Sequence, residues 1–123
     1  MKIYRLEFED GFGPHRQDNL KNYPQFHKFC TKANNKYKSL NEHTFDILSW
    51  IKKTHYNIDM YSLFCAFVDQ NSLLEYVSEA FEVFLNEGGL ILEIEIDSKY
   101  CFIAEDKQVF FIRDRVEQKR ILL

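Results

Sequence analysis

A chain of 123 residues has room for one domain, expected to span residues 1–123, with one core. Its 46% apolar and 16% aromatic content excludes a disordered chain. The net charge of −3 hides a strong asymmetry: ten acids and one base, Lys99, lie between Asp69 and Asp106, so that window alone carries −9. Residues 11–58 carry +5 and residues 107–123 carry +3, so the molecule presents a field, and fields select partners.

Lys2 to Glu9 alternates, with Tyr4, Leu6 and Phe8 on one side of a strand and Arg5, Glu7 and Glu9 on the other. Asp10-Gly11 and Gly13-Pro14 end it. Residues 15–40 have no clean period; they read as a loop with a short helix near 24–33. Lysines 21, 28, 32, 36 and 38 alternate there with Tyr23, Phe26, Phe29 and Tyr37. Charge for phosphates and rings for stacking would suit nucleic acid, but an acidic protein with no Arg in that run is better read as aromatic core with a wet lysine side. Direct nucleic-acid binding is therefore not expected.

Asn41 to His55 is predicted as a helix, with Phe45, Leu48 and Ile51 at helical spacing and Ile47 and Trp50 beside them; Asn41 is a possible cap. Leu63 to Val68 suits a buried strand. A second helix follows to about Asn86, burying Leu73, Val77, Phe81, Phe84 and Leu85. Ser72 and Glu75 have capping-box spacing, with Asp69 or Asn71 as the alternative cap, and Gly88-Gly89 stops the helix. Leu90 to Asp97 alternates, and with Tyr100–Ala104 and Gln108–Arg113 it reads as an antiparallel meander turning at Glu105-Asp106-Lys107. The tail from Asp114 is basic, then apolar at Ile121-Leu122-Leu123. The expected fold class is α+β: a mostly antiparallel sheet with two main helices in a single compact domain.

Glu75, Glu79 and Glu82 stand at i, i+4 and i+7, one stripe of like charge on the second helix. Glu93, Glu95 and Asp97 make a second row on a strand face. Two such rows would imitate the charge spacing of a nucleic-acid backbone, so these six acids are the expected partner-binding residues, facing a host protein with a basic groove. The alternative is a solvated face that keeps a small protein in solution.

His27 and Cys30 lie three apart, but no second pair completes zinc spacing, so no metal is expected. Gly11-Phe12-Gly13-Pro14 lacks the Lys-Ser/Thr of a phosphate loop, and no cofactor is expected. No stretch approaches the ~20 apolar residues of a membrane span. Acids arrive too early at the N-terminus for a secretory signal. Three cysteines without Cys-x-x-Cys spacing fit a reducing cytoplasm, with Cys65 and Cys101 as buried thiols.

The opening Ile3-Tyr4-Arg5-Leu6-Glu7 with Gly11-Phe12-Gly13-Pro14-His15 resembles small phage- and prophage-encoded proteins that begin with a Tyr-Arg strand followed by Gly-Pro-Tyr. Phe64-Cys65-Ala66-Phe67, Ser72-Leu73-Leu74-Glu75-Tyr76-Val77 and Lys107-Gln108-Val109-Phe110-Phe111 extend the resemblance over most of the chain. Joined to the acidic window, it implies an inhibitor of a host defence enzyme that handles nucleic acid, of the anti-CRISPR class. The layout is also similar to a compact ADP-ribosyltransferase. That resemblance implies an alternative enzyme or nucleotide-binding protein using NAD, with Arg5 holding the NAD phosphates or ribose. Gln108 then stands where such an enzyme wants a Glu, and Glu105 is the substitute.

Overall fold

The structure, a computed structural model, describes residues 1–11, 13, 40–54 and 57–122. Six strands form one antiparallel sheet: β1 (Lys2–Glu7), β2 (Phe64–Phe67), β3 (Leu90–Ile96), β4 (Cys101–Ile103), β5 (Gln108–Phe111) and β6 (Val116–Ile121), in the order β4-β5-β2-β1-β3-β6. Three helices join them: α1 (Thr44–Thr54), α2 (Gln70–Val77) and α3 (Phe81–Asn86). The expected α+β class, a mostly antiparallel sheet with helices packed on it, is the observed one. The basic aromatic stretch at 15–39, with His27 and Cys30, and His55 lie outside the described residues.

Alternation along β1 sets the layers. Tyr4 opposes Phe67, so Tyr4, Leu6 and Phe8 share a face with Phe67. Against that face pack Leu73 and Val77 of α2 and Phe84 of α3, with Ile91 completing the cluster. Cys65 opposes Phe110, which puts Phe110 on the same face. There Ile47 and Ile51 of α1 pack with Phe110, Ala104 and Ile112. The opposite face buries Ile3, Ala66, Leu92, Ile94, Ile96, Val109 and Phe111.

Four sequence expectations change. The meander does not form: β4 and β5 are a hairpin, but β3 pairs with β1 and β6 instead of β4. The reason is length, because β1 offers β3 six residue pairs, Lys2 with Glu95 through Glu7 with Leu90, whereas β4 has only three residues. The tail, whose sequence leaves docking back and serving a partner both open, docks back as edge strand β6; an exposed edge needs no apolar alternation. The second helix is two helices. Ser78 adopts φ 41°, the 3-10 turn Ser78–Ala80 follows, and α3 restarts at Phe81. Finally, α1 buries Ile47 and Ile51, whereas Phe45 is 86% and Leu48 50% exposed.

Candidate functional site

Neither Glu75 nor Glu82 belongs to a continuous stripe, because the break at Ser78 separates α2 from α3. Both are exposed; the side chain of Glu79 lies outside what is described. Asp69, not Ser72 or Asn71, caps α2: its Oδ1 accepts from the Ser72 amide at 2.7 Å. Hydrogen bonds from the Ser72 amide and side chain hold the Asp69 carboxyl below the usual carboxylate range.

The strand acids are placed differently. Glu93 is half-buried and takes Arg120 Nη2 at 3.1 Å and Lys2 Nζ at 3.8 Å, with the Tyr4 hydroxyl at 3.5 Å. Glu95 accepts the terminal amine of Met1 at 3.0 Å. Asp97 is exposed and accepts from the Lys99 amide at 3.1 Å, capping the turn Ser98–Tyr100. The β3 acids thus sit in a mixed-charge groove of about 220 Å3 lined by Lys2, Glu93, Glu95, Gln118 and Arg120. Arg120 of the tail, folded back as β6, and Lys2 neutralise Glu93, and the Met1 amine neutralises Glu95. Between Gln70 and Ser98 the sequence holds seven acids and no base. With the β3 pair engaged, Glu75 and Glu82 are the acids of that stretch exposed on α2 and α3.

On the opposite face of the sheet lies a polar centre missed by the sequence pattern. Arg5 and Glu7 are only 5% and 4% exposed. Arg5 Nε donates to Glu7 Oε1 at 2.9 Å, and Arg5 Nη1 donates to the Cys65 carbonyl. Lys119 Nζ reaches Glu7 Oε2 at 2.9 Å. The Arg5 and Arg113 guanidinium groups each lie 4.7 Å from the Phe64 ring centroid. Burial pushes the Arg5 guanidinium below its ordinary value, opposed chiefly by the Glu7 charge. A period of two marked Arg5 and Glu7 as the outward side of a strand. No local signal reveals that β1 is central, with both faces covered.

A second chain of largely buried polar groups links the 3-10 turn Leu40–His43, just before α1, to the β4–β5 turn. His43 Nε2 lies 3.0 Å from Asp106 Oδ2, which also accepts from Gln108 Nε2 at 2.8 Å. Gln108 Oε1 accepts from the Cys65 thiol at 3.3 Å. Burial pushes that thiol up to about 12, so it stays protonated near neutrality and is no nucleophile. Cys101 is likewise raised by burial, to about 11. These contacts anchor elements; they do not assemble reacting groups.

The three residues of the transferase resemblance are not brought together. Arg5 projects from one face of the sheet, Gln108 from the other, and Glu105 is exposed in the β4–β5 turn. Among the described residues no cluster of His, Cys, Asp and Glu is arranged to hold a metal, and no helix is long and apolar enough to cross a membrane.

A model of the bacteriophage T4 Y00F protein family matches residues 1–122. The chain belongs to that family. The resemblance to small phage-encoded proteins holds at this level, and the Y00F-family chain described here is a small phage-type protein with an α+β fold. No curated protein and no solved structure matches it. In this Y00F-family protein the exposed acids of α2 and α3 form the candidate binding surface, and the Arg5–Glu7–Lys119 centre is structural.

Proposed function

We propose that this phage protein acts by binding a host protein through the outer side of α2 and α3, and that the partner offers a basic groove of the kind used for nucleic acid. The observation that carries the reading is the division of the acids. Glu93 and Glu95 are engaged by Arg120, Lys2 and the Met1 amine, while Glu75 and Glu82 are exposed on a helical layer without a base. Exposed charge steers association and sets its salt dependence. A host nuclease or defence enzyme of the CRISPR class fits this chemistry, with occlusion of its nucleic-acid groove as the mode of inhibition.

The test is a salt-graded pull-down from bacterial lysate with the wild type and with Glu75→Lys combined with Glu82→Lys. The double variant should bind at least ~10-fold more weakly, about 1.4 kcal/mol, and with a shallower salt dependence. Equal capture at both salt concentrations would defeat the proposal. No observation favours a second reading as a transferase, because Arg5, Glu105 and Gln108 share no site.

A further inference from the structure

We infer that the outer face of α1 is the contact between two copies of this chain, arranged antiparallel about a two-fold axis. Phe45 is 86% exposed and Leu48 is 50% exposed, the former more than any other large apolar side chain described. Both stand away from Ile47 and Ile51, which pack into the core. With 3.6 residues per turn, Phe45, Leu48 and Lys52 recur at i, i+3 and i+7 and form one outward stripe. Asp46 and Lys53, seven residues apart, lie on one flank of that stripe, and both are exposed. No ion pair engages either within the described chain.

This arrangement commits the face to a second copy. A two-fold axis across the helix sets the first half of one α1 against the second half of the other, flank against like flank. Asp46 of each copy then meets Lys53 of the other, giving two equivalent ion pairs. Phe45 lies against Lys52 of the second copy, whose methylene stem and ammonium both suit an aromatic ring. A face carrying Asp46 near one end and Lys53 near the other, with Phe45 and Leu48 exposed beside them, is complementary to itself. An unrelated partner would have to supply the same pattern in reverse. The inference is independent of the α2–α3 surface.

Sedimentation equilibrium on the full chain tests it. The wild type should associate with rising concentration to twice 14.8 kDa. Phe45→Asp should raise the dissociation constant at least ~10-fold, with an unchanged circular-dichroism spectrum because the side chain is outside the core. Asp46→Lys alone and Lys53→Asp alone should each be monomeric. Their equimolar mixture should form a heterodimer, since two ion pairs are then restored, one in the original sense and one reversed. A wild type that stays monomeric, a dimer indifferent to Phe45→Asp, or a mixture that fails to associate would overturn the inference. So would a monomeric wild type that loses a foreign bacterial protein on Phe45→Asp, which would assign the face to that protein instead.

Discussion

Arg5 and Glu7 illustrate how costly a buried ion pair is to break. Each has left water, and Glu7 is satisfied only because Arg5 Nε and Lys119 Nζ both lie 2.9 Å from its oxygens. Replacing Arg5 by Ala leaves a buried carboxylate leaning on one half-exposed lysine. Urea denaturation should therefore show a loss of roughly 3–5 kcal/mol, whereas Arg5→Met with Glu7→Leu should lose far less, because the pair's desolvation cost goes with it. An equal loss in both variants would show that packing, not charge, sets the cost. Asp69 gives the pH-dependent counterpart. Its folded carboxyl is held low by Ser72, so its contribution is present above the unfolded value of about 4 and is lost as pH falls through the folded value. Asp69→Ala should lower stability by ~1 kcal/mol near neutrality and flatten the acid side of the stability profile. Asp69→Asn should keep the cap and lose only the pH dependence. Thermal melts across the acid range distinguish the two.

At the scale of elements, the turn after α3 is the most constrained. Gly88 takes φ +89°, its amide donates to the Leu85 carbonyl at 3.1 Å, and the Gly89 amide donates to Phe84 at 2.9 Å. A β-carbon on Gly89 would overlap the Phe84 ring, itself fully buried and 5.1 Å from the Phe8 ring. Gly89→Ala should cost about 1–3 kcal/mol by overpacking, read as a lowered urea midpoint, whereas Gly88→Asn, in an open position, should cost less. Much of this was legible in the sequence: the Gly-Gly stop, the alternation of β1 and β3, the β4–β5 turn and the apolar run of β2 all lie where pattern places them. The misassigned face of α1 has a tertiary cause. Two overlapping apolar spacings on α1, Phe45–Leu48–Ile51 and Ile47–Ile51, satisfy the same helical period, and only the position of Phe110 decides between them. The candidate site was half legible for a related reason. Sequence showed where acids accumulate, but not that the basic tail returns as β6 and engages Glu93.

For the molecule as a whole, the longest pairing of the sheet is β1 with β3, and its two rims are short or irregular. β4 ends one side with three residues. β6 ends the other with Glu117, Lys119 and Arg120 and a register shift opposite Glu95 and Ile96. Short, charged and irregular rims deter strand-by-strand aggregation. Among the described residues, the helical faces proposed for partners are α2–α3, acidic, and α1, mixed and partly apolar.

The central position of β1 also governs the order in which the chain comes together. Its six residues precede β2 and β3 in the chain, yet they pair with Phe67 of β2 and with Leu90–Glu95 of β3. Until β3 has cleared the ribosome, Leu6 and Phe8 have no finished core to enter. Without β1 the pairs β5–β2 and β3–β6 share no seam, so the two halves of the sheet cannot nucleate one another. Such distant pairing places folding in the slow, millisecond-to-second class of β-rich topologies. A nascent chain of this protein thus carries β1 without its β3 partner until residue 96 has been made, and unpaired strand edges of that kind are open to aggregation.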